Sequence, residues 1–246
     1  MIPIGDDNTD RHRTPYATWM LIALNVFVFV VFQGMGSNQR ATLAYATVPA
    51  EILSGRDIAE VIPVRDSYGR VVDQFEILPT PIPVYLTLLT AMFMHGGFAH
   101  LFGNMLYLWI FGDNLEDAMG HGRYLVFYLL TGIAAGLAHV FVTAALGHNP
   151  LIPSLGASGA ISGVLGGYIV LFPHKRVHVI AFYQMMRVPA IFAIGIWFLF
   201  QLVAGAGTAA GNVGGVAYGA HIGGFLAGMA LVKLFDARRP AALQGA

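Results

Sequence analysis

The notable polar side chains in the apolar stretches of this 246-residue chain are His95, His100, Asn104, His139, Ser158, Ser162 and His221. Polar groups carried into a bilayer are costly and mark functional sites by default. A serine and a histidine can act as nucleophile and general base. His100 and Asn104 stand four residues apart, on one helix face, where an imidazole and an amide can donate to a developing oxyanion. Ser158 sits in Gly156-Ala157-Ser158-Gly159, a weak signal alone, because small residues pack membrane helices everywhere. The bland alternatives are interhelical hydrogen bonding for His100 and Asn104, and a glycine packing seam with a buried histidine for His221. His139 reads as a packing or loop-contacting residue.

Other chemistries lack their groups. No Asp or Glu falls in the apolar spans, so an aspartyl site and a mid-membrane carboxylate relay are not available. No histidine is followed by glutamate, which removes the H-E-x-x-H zinc motif. Cysteine is absent, which excludes a thiol nucleophile, thiolate metal sites and disulfides. A three-histidine metal site from His95, His100 and His221 stays compatible with composition, although no metal or other cofactor is expected. Thirteen basic residues balance thirteen acidic ones, so nucleic acid is not an expected partner.

The elements that must position these residues follow from where charge is missing. Hydrophobic residues make up 57% of the chain and charged residues 11%, against about 25% charged in soluble domains. Residues 14–39, 77–112, 124–174 and 188–232 contain no Asp, Glu, Lys or Arg. A membrane helix needs about 20 apolar residues. Breaks at Pro79–Pro83, at Gly147–Gly156 and at the Gly/Ala-rich run 205–215 divide the stretches into six helices. Their expected positions are Tyr16–Gly34, Ala99–Gly112, Arg123–Leu146, Ser158–Phe172, Pro189–Ala204 and Val216–Phe235. The fold class expected is thus an all-α integral membrane bundle of six transmembrane helices, residues 16–235, with tails at 1–15 and 236–246.

Ser158 opens a helix of about 15 residues, roughly 22 Å, shorter than the hydrocarbon core. Its start must lie below the membrane surface, met by an inward-dipping loop at Pro153–Ala157, which is tolerated where protein or a watery cavity surrounds it. His221 lies near the same depth. Gly159, Gly163 and Gly167 on one helix and Ala220, Gly224 and Gly228 on the other form small-residue faces that allow close approach.

With the N-terminus inside, nine Lys and Arg lie on inner segments and four (Arg40, Arg56, Arg65, Arg70) share one long outer loop, residues 35–84. Both termini are expected in the cytoplasm, and the charge bias with no targeting presequence suits a bacterial inner membrane. Within the loop, Val48-Pro49-Ala50-Glu51 resembles a helix start.

These residues resemble the rhomboid family of intramembrane serine proteases. The resemblance is carried by His95-Gly96-Gly97-Phe98-Ala99-His100 with Asn104, by Glu116 and Gly120, by Gly156-Ala157-Ser158-Gly159, and by Ala220-His221-Ile222-Gly223-Gly224 with Gly228. It implies a bundle whose short fourth helix is central and opens to the outside. It implies Ser158 as nucleophile and His221 as base, with His100, Asn104 and the Ser158 N–H as oxyanion donors. Gly156, Gly159, His95 and Gly224 would support the site, and Glu116 and Gly120 would be structural. Transmembrane proteins would be the substrates and membrane lipid the surroundings. Two departures from the family pattern stand out. Ser162 replaces an aromatic residue that often packs on the histidine, and Leu86 and Thr87 replace a Trp-Arg pair that anchors the first outer loop. A non-catalytic protein that binds transmembrane segments, or a small-solute channel or transporter, are the alternative functions.

Overall fold

The computed structural model describes residues 1–65, 68, 70–209 and 217–237. Six principal helices build the bundle: α1 (Tyr16–Phe27), α5 (Phe98–Met119), α6 (His121–Ala145), α7 (Ser158–Leu171), α8 (Ala190–Ala209) and α9 (Tyr218–Phe235). A π-helical turn, Val28–Phe32, prolongs α1, and α2 (Gln39–Ala44), α3 (Pro49–Ser54) and α4 (Thr87–Thr90) are short. Among the described residues, α6, α8 and α9 contain segments long and apolar enough to cross a membrane. Val84–Phe93 and Phe98–Met119 add a fourth span if that pair, bent by 81°, is counted as one. Tyr16–Phe32 and Ser158–Leu171 are apolar but shorter.

The all-α expectation is corrected to mostly helical, because five strands among the described residues form two small sheets. β1 (Ile2–Asp6) pairs antiparallel with β4 (Arg176–Ala181), which pairs with β5 (Gln184–Pro189). The 1–15 segment is therefore partly a strand. Val177 and Val179 alternate inward while Arg176 and Ile180 face out, as expected of a sheet covered on one face. In the long loop, β2 (Glu60–Arg65) and β3 (Val71–Ile77) form a hairpin. The expected helix start at Val48–Glu51 is α3, with Pro49 in its first turn. Residues 210–215 of the Gly/Ala-rich run and 238–246 of the C-terminal segment lie outside the described residues.

The second helix runs seven residues past the expected Gly112 because its acidic end is occupied by partners. Asp113 pairs with Arg11 at 2.6 Å, and Asp117 accepts from the His12 and Arg13 amides. Glu116 is fully buried and accepts from the Ala17 and Thr18 amides and the Thr18 hydroxyl. Those amides belong to the first turn of α1, whose N–H groups lack helical partners and whose dipole favours an anion. Gly120, with φ +79°, turns the chain from α5 into α6.

At the core, α7 is enclosed by α5, α6 and α9. A Cβ at Gly228 or Gly224 would run into the carbonyl oxygens of Gly163 and Gly159, and one at Gly166 into that of Phe225. Main chain touches main chain, the close approach that small-residue faces permit.

Candidate active site

Ser158 is the first residue of α7, and His221 is in the first turn of α9. The glycine contacts draw those helix starts together, and Ser158 Oγ lies 2.8 Å from His221 Nε2. That is hydrogen-bond reach for a nucleophile and its base. The α7 helix has 14 residues, about 21 Å, shorter than the hydrocarbon core of a bilayer.

The loop ahead of Ser158 is held from two sides. Thr47 and Ser154 exchange backbone hydrogen bonds at 2.9 and 2.8 Å, and the Ala50 amide donates to the Pro150 carbonyl. The long loop, residues 35–84, thus braces the approach to Ser158. The Gly156 amide donates to Ala91 O at 2.8 Å. Gly156 has φ +122°, and a Cβ there would lie 2.8 Å from His100 Cε1 and Nε2. Only glycine meets both conditions.

His100 and Asn104 sit on the first two turns of α5 and face the same space. The Gly96 amide donates to His100 Nδ1 at 3.3 Å, so the His100 proton resides on Nε2, beside Gly156. Asn104 is 8% exposed, and its Nδ2 is buried without a protein acceptor. His100, Asn104 and Ser158 line one cleft. His95 is buried behind them, edge-on to the His100 ring at 5.2 Å between centroids. Its backbone is clamped by the buried Gln33 amide, which accepts from His95 N at 3.0 Å and donates to His95 O at 2.8 Å. Among the described residues, no group of three His, Asp or Glu is placed to hold a metal ion, so His95, His100 and His221 do not form such a cluster.

The hydrogen bond of Ser162 goes to its own helix rather than to His221: the hydroxyl turns back to donate to Ser158 O at 2.6 Å. The histidine is held instead by α8. Gln201 Oε1 lies 2.7 Å from His221 Nδ1, and the Trp197 ring packs at 6.1 Å between centroids, tilted 36°. Sequence inspection missed both. The signal available was their spacing of four, one face of α8, with Gln201 the one amide in that apolar run. The loop anchor is likewise rebuilt: Thr47 donates to Thr87 O and Thr90 donates to Tyr45 O, each at 2.9 Å.

A cleft of about 620 Å³ opens over these groups, bounded by His100, Asn104, Ser158, Ser162, Trp197 and His221 among others. His139, expected to be a packing residue, also lines it. Gly159 and Gly224 lie behind the pair, where the Gly159 carbonyl meets the Gly224 backbone.

The rhomboid domain family matches residues 83–237, more than half the chain. The chain is 34% identical over 168 residues to rhomboid protein 1, mitochondrial, of Saccharomyces cerevisiae (65% of this chain, 46% of the relative). It is 36% identical over 145 residues to rhomboid protease GluP of Bacillus subtilis (58% and 25%) and 29% identical over 164 residues to rhomboid-like protein 11, chloroplastic, of Arabidopsis thaliana (63% and 54%). The matches thus span from a quarter to about half of these relatives' length. The family model covers the helices that carry Ser158, His221, His100 and Asn104, and on it the chain belongs to the rhomboid family.

Proposed function

We propose that this protein is an intramembrane serine endopeptidase that cleaves transmembrane segments of other membrane proteins. The observation that carries the proposal is the 2.8 Å contact between Ser158 Oγ and His221 Nε2, in a cleft that His100 and Asn104 also line. The naming of one relative as a rhomboid protease adds to it.

In this mechanism His221 Nε2 takes the Ser158 proton as Oγ attacks the scissile carbonyl. The carbonyl oxygen becomes an oxyanion, received by His100 Nε2–H, Asn104 Nδ2–H and the Ser158 amide. One such donor is worth about 2.7–4 kcal/mol in related chemistry. His221 then gives its proton to the departing amine, whose C–N bond breaks. Water, with His221 again as base, hydrolyses the ester and restores Ser158. The pair is read as a dyad, because no Asp or Glu is among the described residues that line the cleft.

The substrate helix would enter from the side, between α5 and α8. An apolar cavity of about 270 Å³, bounded by Tyr107, Phe111, Leu165, Ile194, Trp197 and Phe200, already separates them. All six principal helices would cross the membrane, α7 embedded within the others. The end bearing Arg11, Arg13, Arg123, Lys175, Arg176, Arg187 and Lys233 would face the cytoplasm, in a bacterial cell membrane. The testing experiment is cleavage of a panel of tagged single-span proteins. Wild type should release fragments that Ser158→Ala does not, and fragment release by Ser158→Ala would refute the assignment.

A further inference from the structure

We infer that Gln201 is a positioning residue that fixes the tautomer of His221, so that a neutral amide on α8 does the work a carboxylate does in a three-membered serine relay. The inference rests on the Ser158–His221 mechanism proposed above.

For His221 Nε2 to accept the Ser158 proton it must be unprotonated, which places the ring proton on Nδ1. Nδ1 then needs an acceptor. Gln201 Oε1 stands 2.7 Å away, and an amide oxygen can only accept. Gln201 is 6% exposed, so water competes little for that bond. Trp197, one turn earlier, forms a wall beside the same imidazole. One face of α8 thus fixes both the rotation of the ring and the location of its proton. If the amide turned over, its NH₂ would donate to Nδ1. The proton would then move to Nε2, and Nε2–H would donate to Ser158 Oγ, leaving the serine without a base.

The amide differs from a carboxylate in one respect. It orients the imidazole but brings no negative charge to the imidazolium that forms when Ser158 attacks. Among the described residues, the other groups facing His221 supply none either: Ser158 on α7, His139 on α6, His100 on α5, and Tyr218 on its own helix. Replacing the amide with a carboxylate of the same length should therefore keep the tautomer and change only the charge.

The test uses the full chain in detergent, with Gln201→Leu, Gln201→Glu and Gln201→Asn. Two readouts are the rate at which a fluorophosphonate labels Ser158 across pH and the ¹⁵N resonances of the His221 ring. Thermal unfolding of each variant confirms that it is folded. Gln201→Leu should label at least about tenfold more slowly, within a ceiling of about 10⁴-fold known for a serine triad holding the wrong tautomer. Its ring nitrogens should show Nε2 partly protonated. Gln201→Glu should keep the wild-type tautomer and label well, with the acid limb of its profile moved to higher pH, since a carboxylate favours the charged imidazole. Gln201→Asn, one methylene short, should resemble Gln201→Leu. Wild-type labelling rates in folded Gln201→Leu, or identical profiles for the Leu and Glu variants, would overturn the inference. Absence of label in wild type would instead overturn the protease assignment, while the ring resonances would still report whether Gln201 holds the tautomer.

Discussion

Ser158 and His221 are carried by α7 and α9, whose backbones touch through Gly159, Gly163, Gly166, Gly224 and Gly228 with no side chain between them. Gln201 and Trp197 are carried by α8, whose outer faces show Phe192, Ile196, Leu199, Phe200 and Val203 more than half exposed. Gly195 and Gly207 on α8 have open space where a Cβ would go. One wall of the cleft is thus set by backbone contacts that cannot be adjusted, and the other by side chains on a helix with room beside it. The difference divides the labour. On the proposed mechanism, the reacting pair needs fixed spacing, while a wall that admitted a transmembrane substrate would have to move and return.

The largest effect should come from breaking the fixed wall. Gly228→Val or Gly166→Val pushes side-chain atoms into a carbonyl of the partner helix. Overpacking costs about 1–3 kcal/mol where the surroundings can yield, and more where they cannot. The expected outcome is a large drop in the detergent unfolding midpoint and loss of Ser158 labelling. Gly195→Ala and Gly207→Ala on α8 should leave both unchanged or raise stability slightly, since alanine is favoured over glycine in helices by about 1 kcal/mol. Equal damage at the two sets of sites would erase the contrast.

An intermediate effect should come from tethering the α8 wall. The chain has no cysteine, so a disulfide engineered between α5 and α8, at the level of Phe111 and Ile194, would be its sole cross-link. It should reduce cleavage of a single-span substrate severalfold, reversed by reductant, while a small fluorophosphonate still labels Ser158. Undiminished cleavage when oxidised would remove the case for entry between these helices.

The smallest effect lies at the far end of the bundle. Burial pushes the Asp6 carboxyl up from 3.8 to about 7, against the Tyr168 hydroxyl and Asn114 amide that donate to it, with Asp113 raising it further and Lys175 opposing. A carboxyl raised on folding binds more protons folded than unfolded between those values. Its contribution to stability is full below about pH 4 and is lost as pH rises through about 7. Asp6→Asn should flatten that fall in detergent unfolding, with labelling of Ser158 unaffected.

The fixed wall was legible in the sequence because it is local and periodic. Uncharged runs located the principal helices, and glycines at four-residue spacing marked the α7–α9 contact. The position of Ser158 at a short helix, and of His221 at similar depth, followed from the same arithmetic. What the sequence concealed depends on distant partners. The acidic end of α5 reads as loop until Arg11, Ala17 and Thr18 are seen to occupy it. The strand β1 has meaning only against β4, about 170 residues on. Gln201 is an uncharged amide in an apolar run, with no motif around it, and its role exists only through His221 on the next helix. Ser162 drew attention as a replaced aromatic, but the compensating contacts came from α8, not from α7.

The central claim is that Ser158 is a nucleophile activated by His221, and covalent labelling by a fluorophosphonate tests it most directly. Folded wild-type protein in detergent should be labelled at Ser158, with label absent from Ser158→Ala and at background level in His221→Ala. Folded wild type that takes no label, or a His221→Ala variant labelled at the wild-type rate, would contradict it.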